Sequence, residues 1–154
     1  MSTRRDMMIK SGAAALAGLL AGLLPAAAQA EALLAKSAFD AKTLDELYKQ
    51  LGLSKPVASK EVTLTAPDIA ENGAVVPVSV ASTAPGVVRM MVLVEKNPNV
   101  LTASFDVNDS VEPAFQTRVK MGQTSSVYAV AITADNKVLF AEKEIKVTLG
   151  GCGG

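Results

Sequence analysis

Residues 114–121 read AFQTRVKM, and residues 144–149 read EIKVTL. In the second stretch Ile145, Val147 and Leu149 alternate with Glu144, Lys146 and Thr148. The first stretch alternates in the same way, with Phe115, Thr117, Val119 and Met121 opposing Ala114, Gln116, Arg118 and Lys120. Because successive side chains of a strand point to opposite faces of a sheet, both stretches predict strands with one buried and one wet face.

Outward from these two stretches, short runs rich in valine and threonine predict further strands at 61–66, 75–81, 87–95, 101–107, 126–133 and 138–141. Turn residues separate the runs at intervals of about ten residues, the spacing expected of an antiparallel sandwich. Pro77 interrupts a valine run and predicts a sheet edge or a bulge there. The fold class is therefore mainly β, an immunoglobulin-like antiparallel β-sandwich.

One helix precedes the strands. Thr43 and Glu46 stand at capping-box spacing, an apolar stripe follows at helical intervals, and Gly52 supplies the stop. The stripe comprises Leu44, Leu47, Tyr48 and Leu51. The run 87–94, VVRMMVLV, carries one charge and should be covered on both faces. It is either a central strand, or a strand that meets another subunit together with the Leu44/Leu47 stripe.

The composition argues against catalysis. The chain has 154 residues, no histidine and one cysteine, which excludes a Ser-His-Asp triad, a Cys-His pair and a His- or Cys-rich metal site. We therefore expect a protein that is not an enzyme and that holds no cofactor. Fifteen basic residues balance fifteen acidic ones without a basic run, so no nucleic-acid partner is expected.

The first thirty residues have the layout of an export signal. Arg4-Arg5 precedes an uncharged stretch from Ser11 to Ala30 that is rich in alanine, glycine and leucine. We predict a twin-arginine signal peptide over 1–30, cleaved after Ala30, rather than a stable membrane anchor. The mature chain would then act in the periplasm, with a helix and β-sandwich domain over 31–149 and a carboxyl-terminal arm over 150–154.

The arm reads GGCGG, so the lone thiol of Cys152 stands between Gly150-Gly151 and Gly153-Gly154. Glycine has the widest backbone freedom, and we expect a flexible arm whose five residues reach roughly 17 Å. Such an arm suits a covalent carrier, although a disulfide tether to another chain and an incidental tail are open alternatives. No Lys, Arg or His lies within five residues of Cys152, so partner proteins would have to activate its thiol.

Five stretches carry a family resemblance: FDAK at 39–42, APDIAENGAVVPV at 66–78, VEKNPN at 94–99, TRVKM at 117–121 and the terminal GGCGG. With these, the chain resembles the SoxY family, the sulfur-carrier subunits of periplasmic thiosulfate-oxidising systems, from about Phe39 to its end. The acidic segment 68–73 matches the family too. It is either a solvated turn or a place where a partner docks.

The resemblance implies that Cys152 carries the intermediates of thiosulfate oxidation. The implied partners are a SoxZ-like subunit in a heterodimer, a c-type cytochrome enzyme that conjugates thiosulfate, a manganese-dependent sulfohydrolase and, where present, a sulfane dehydrogenase. Two rival functions are open. One is a ubiquitin-like carrier that forms a thiocarboxylate on its terminal diglycine, and the other is an assembly module tethered by an intermolecular disulfide.

Overall fold

The computed structural model describes residues 36–149. Residues 36–38 are helical, and helix α1 spans Leu44–Gln50. The strands are β1 Val57–Ala58, β2 Val62–Thr65, β3 Ile69–Ala70, β4 Val76–Ser82, β5 Val87–Val94, β6 Leu101–Asp106, β7 Ala114–Val119, β8 Ser125–Thr133 and β9 Val138–Val147. No helix among these residues is both long and apolar enough to cross a membrane. The proposed signal over 1–30 lies outside the described residues.

The strands form two sheets. The larger has the order β1-β9-β8-β5-β6, with β3 also paired to β9, and the smaller has the order β2-β4-β7. Valines on the facing surfaces of both sheets make the main core, which holds Val76, Val78 and Val80 of β4 against Val92, Val94 and Val127. The fold is therefore the immunoglobulin-like sandwich that the alternating patterns predicted.

Helix α1 covers the other face of the larger sheet. Thr43 caps its first turn through Oγ1, which accepts a 3.2 Å hydrogen bond from the Glu46 N–H. Gly52, at φ +62°, ends it in the left-handed region that glycine tolerates best. Leu47 is fully buried against Met91 and Leu93 of β5 in a second core cluster.

This packing settles how β5 is covered. Met90, Val92 and Val94 belong to the core between the sheets, while Met91 and Leu93 belong to the cluster beneath α1. The first interpretation, a central strand covered on both faces, is confirmed from Met90 to Val94, whereas Val88 is 41% exposed. The alternative was wrong for the buried residues, because the Leu44/Leu47 stripe packs on its own sheet and leaves little of itself for another subunit.

Two details of the strand prediction were wrong. The separate strands predicted at 138–141 and 144–149 are one strand, β9, which continues through Glu142 and Lys143. The two-residue strands β1 and β3 were not predicted, and both pair in parallel with β9 in a sheet expected to be antiparallel. Pro77 lies on the middle strand of the smaller sheet, but β2 pairs only as far as Ser79. That end of β4 is thus an edge locally, and the proline deprives β2 of no hydrogen bond.

Candidate functional site

The predicted attachment residue Cys152 and the arm glycines Gly150, Gly151, Gly153 and Gly154 lie outside the described residues. The structure describes the chain up to Leu149, the residue before them. Strand β9 ends at Val147, and Thr148 and Leu149 continue the chain toward the arm. The candidate site is therefore built from the residues that hold Leu149 in place.

Segment 68–73 runs beside the end of β9 and fixes it. Backbone hydrogen bonds link the Lys146 N–H to the Asp68 carbonyl at 3.0 Å and the Thr148 N–H to the Ala70 carbonyl at 3.1 Å. The Thr148 hydroxyl donates to the Glu71 carbonyl at 3.0 Å. These hydrogen bonds hold Lys146 and Thr148 against segment 68–73, so the end of β9 has a fixed position.

An ion pair secures the beginning of the same segment. Lys143 Nζ lies 2.9 Å from a carboxylate oxygen of Asp68 and also donates to the carbonyl of Ala66. The hydrogen bond and the charge of Lys143 lower the pKa of Asp68 below its usual value. Asp68 is thus bound to the strand that carries the arm, while Glu71 and Asn72 are exposed beside it.

Gly73 connects the strand end to the rest of the domain. Its N–H donates to the Leu149 carbonyl at 2.7 Å, and its carbonyl accepts from the Met121 N–H, also at 2.7 Å. Gly73 itself is buried. Gly73 therefore ties Leu149, the residue before the arm, to the end of the 114–121 stretch.

The series of contacts continues to the helix. Asn97 donates from Nδ2 to the Lys120 carbonyl at 2.7 Å and accepts from the Gly122 N–H at 3.4 Å. Two residues further on, Asn99 accepts a hydrogen bond from Lys42 Nζ, just before helix α1. Contacts thus link the four described stretches of the family resemblance to one another and to Leu149.

The contacts that build this end were not visible in the sequence. The roles of Gly73, Asn97, Lys143 and Thr148 depend on partners 23 to 77 positions away, and no local pattern announces such pairings. A depression of about 450 Å³ lies nearby on the smaller sheet, lined by Pro77, Gln116, Thr117 and Arg118. Among residues 36–149, no three His, Cys, Asp or Glu side chains are placed to share a metal ion.

Comparisons with known proteins bear on this arrangement. A family model described as sulfur oxidation protein SoxY matches residues 48–152, and the match includes Cys152. The structure is similar to that of the sulfur carrier protein SoxY from Chlorobium limicola f thiosulfatophilum. The two chains are 33% identical with a TM-score of 0.61, over 68% of this chain and 94% of that one.

A second solved structure shares the fold alone. Superoxide reductase (neelaredoxin) from Ignicoccus hospitalis has a TM-score of 0.50 at 17% identity, over 56% of this chain and 79% of that one. No curated protein sequence matches the chain.

Proposed function

Because the chain belongs to the SoxY family of sulfur oxidation proteins, we propose that it is a sulfur carrier and that Cys152 holds the sulfur. The observation that carries this proposal is the family match that continues through the arm to Cys152. The series of hydrogen bonds that holds Leu149 supports it, since a carrier needs a fixed point from which to present its cargo. The globular domain would supply position and recognition, and its partners would supply catalysis.

The chemistry on Cys152 would begin with an oxidative conjugation. The thiol loses a proton, its sulfur bonds to the outer sulfur of thiosulfate, and two electrons pass to a c-type cytochrome. The product is Cys152-S-S-SO₃⁻. Since no cationic side chain lies near Cys152 in sequence, the conjugating enzyme would have to stabilise the thiolate.

A hydrolytic step would follow. Water attacks the terminal sulfone, the sulfur–sulfur bond to the SO₃ group breaks, and sulfate leaves with two protons while a persulfide remains on Cys152. A manganese-dependent sulfohydrolase would catalyse this step, and a sulfane dehydrogenase, where present, would oxidise the remaining sulfur. The protein is then a substrate carrier for these enzymes and not itself an enzyme.

Partnership and location belong to the same proposal. We propose that the chain forms a heterodimer with a SoxZ-like subunit. The Arg4-Arg5 pair and the uncharged stretch that follows it support export by the twin-arginine pathway, so the carrier would work in the periplasm.

Reduction of the cytochrome tests the proposal. Purified carrier with its SoxZ-like partner is mixed with thiosulfate and the c-type conjugating enzyme, and the reduced haem is followed by absorbance. Wild-type carrier should support two electrons per cysteine, and Cys152→Ser should support none. Equal reduction with Cys152→Ser would overturn the proposal.

A further inference from the structure

We propose that a depression at the edge of the smaller sheet binds the terminal sulfonate of the cargo while Cys152 is loaded. We call this depression the sulfonate site, and it is lined by Pro77, Gln116, Thr117 and Arg118. The inference rests on the proposed function, because the sulfonate is present only when Cys152 carries thiosulfate-derived sulfur. It gives the charged end of the cargo a place on the carrier's own domain.

The four lining residues belong to two paired strands. Pro77 of β4 stands opposite Arg118 of β7, and Gln116 and Thr117 precede Arg118 on the same strand. They line a depression of about 450 Å³, a volume many times that of a water molecule, so a sulfonate fits. Gln116 and Arg118 are exposed. The site is therefore held by a regular strand pair, which is a more precise support than a loop.

The charges of the smaller sheet favour an anion. Its strands β2, β4 and β7 contain no Asp or Glu, and Arg118 is their single charged residue. Lys120 is exposed one residue beyond β7 and lies on the same face as Arg118 by alternation. A guanidinium group binds oxyanions through two parallel N–H donors. Arg118 can therefore attract a sulfonate without opposition from a carboxylate on these strands.

The edge of β7 adds backbone donors. The Ser82 N–H donates to the Pro113 carbonyl at 2.9 Å, and in an antiparallel pair such bonded positions recur at every second residue. The register of β4 and β7 therefore turns the N–H of Thr117 toward β4 and the N–H groups of Gln116 and Arg118 away from it. Because β7 is an edge strand of the sheet within residues 36–149, these two N–H groups have no strand partner and can donate to a sulfonate oxygen.

The chain beyond Leu149 is long enough for the cargo to reach this site. Through Gly73, two hydrogen bonds connect Leu149 to Met121. Arg118 precedes Met121 by three residues, or about 10 Å of strand. Cys152 follows Leu149 by three residues, which span about 10 Å when extended. Since the sulfur atoms of the cargo and the Arg118 side chain add to this reach, the two groups can meet within one molecule.

A weak site is sufficient because the sulfonate is tethered. A short flexible linker gives an effective concentration on the order of millimolar, so an exposed guanidinium and two N–H donors can hold the anion for part of the time. An enzyme that binds the sulfonate more strongly then withdraws it easily. The sulfonate site would thus shelter the cargo between enzymes without trapping it.

Lys146 offers a matched control for Arg118. It is exposed on β9, three residues before Leu149, so it lies at least as close to Cys152 along the chain. By alternation it shares its face of β9 with Glu142 and Glu144, whose carboxylates offset its charge. Lys146→Gln therefore removes one positive charge near the arm without changing the sulfonate site.

Tetrathionate loads Cys152 without an enzyme. The thiolate attacks one of the two central sulfur atoms, the bond between them breaks, and thiosulfate leaves with the electron pair. The product is Cys152-S-S-SO₃⁻. Iodoacetamide places an uncharged adduct on the same sulfur for comparison. Both adducts are prepared on the full carrier chain with its SoxZ-like partner.

Amide NMR spectra of the two adducts test the proposal. The sulfonate adduct should shift the N–H signals of Gln116 and Arg118, and the uncharged adduct should leave both in place. The shift at Gln116 should disappear in Arg118→Gln, persist in Lys146→Gln and persist in part in Arg118→Lys, which keeps the charge. An unshifted Gln116 signal with the sulfonate adduct, or equal shifts with both adducts, would overturn the proposal.

Reduction by dithiothreitol provides a kinetic readout. The sulfonate adduct should be reduced about threefold faster in Arg118→Gln than in wild type, which matches the strength of an exposed ion pair. The rate in Lys146→Gln should equal that of wild type. A mixed disulfide of Cys152 with 2-mercaptoethanol carries no charge, and Arg118→Gln should not change its rate of reduction. Equal acceleration of both adducts would count against the sulfonate site.

The carrier function and the sulfonate site can fail separately. If Cys152→Ser still supports reduction of the cytochrome by thiosulfate, the carrier function fails and the sulfonate site fails with it. If Cys152→Ser is inactive while the signals of Gln116 and Arg118 ignore the sulfonate, only the sulfonate site is wrong.

Discussion

The N–H of Gly73 donates a 2.7 Å hydrogen bond to the carbonyl of Leu149. The first residue lies in a turn ahead of β4, and the second is the last residue before the GGCGG arm. The bond makes the root of the arm part of the sandwich, because the Gly73 carbonyl also binds the Met121 N–H. The bond thus fixes Leu149, the residue before the arm, and supports the proposed carrier function.

Asn97 should contribute to holding that end together. Asn97→Ala removes the hydrogen bonds to Lys120 and Gly122 and should lower the free energy of unfolding by about 1–2 kcal/mol. Urea denaturation measures this change. Amide hydrogen exchange should also speed up at Met121 and Gly73, and unchanged exchange at both would show that Asn97 does not support the root of the arm.

The Asp68–Lys143 pair predicts a small dependence of stability on pH. The pKa of Asp68 is lowered in the folded chain, so its contribution is present above the unfolded value of about 4 and is lost as pH falls through the folded value. Asp68→Asn should be slightly less stable than wild type at neutral pH. The two proteins should converge once the pH has fallen below the folded pKa of Asp68, as measured by thermal unfolding across pH. A difference that persists in acid would have another cause.

Tyr48 predicts sensitivity to alkali. Burial raises the pKa of Tyr48 to about 12, whereas the unfolded value is about 10. Between these values the unfolded chain ionises first, and the folded state therefore loses stability as pH rises. Tyr48→Phe lacks this loss and should gain on the order of 1 kcal/mol relative to wild type between pH 8 and pH 11. Denaturant unfolding measures this change at each pH. A difference in unfolding free energy between the two proteins that stays constant over this interval would contradict the prediction.

Leu47→Ala tests how α1 is held. Leu47 is fully buried between α1 and β5, and its truncation to alanine should lower the free energy of unfolding by about 3 kcal/mol. Leu44→Ala, at a partly buried position of the same helix, should cost clearly less. Equal costs would mean that the helix does not pack on the sheet as described.

Much of the fold follows from the sequence, for reasons that particular strands make plain. Alternation in 114–121 predicted β7 because one face of that strand is wet. The strand prediction failed at Glu142 and Lys143, which were left between two separate strands although both lie inside β9. Both are accommodated inside β9, Glu142 through hydrogen bonds from Ser126 and Tyr128 and Lys143 through Asp68. Local patterns cannot contain such cross-strand partners.

The sequence identified the key residue of the candidate site, but it did not predict how the surrounding residues are arranged. Cys152 stood out because it is the only thiol and has glycines on both sides, and it stays a prediction because it lies outside the described residues. The surroundings of the arm could not be foreseen, since β3 pairs with a strand about eighty positions later and leaves almost no signal in its two residues. From the sequence, segment 68–73 is either a solvated turn or a docking element. In the structure it forms hydrogen bonds with Lys146 and Thr148 at the end of β9.

Intact-mass analysis of the protein from cells growing on thiosulfate tests the central claim most directly. The account predicts wild-type protein with a sulfur-containing adduct on Cys152 that reductant removes, and Cys152→Ser protein that carries no adduct and supports no thiosulfate oxidation. Unmodified thiol together with full thiosulfate oxidation by Cys152→Ser cells would contradict it, and so would sulfur found on the Gly154 carboxylate.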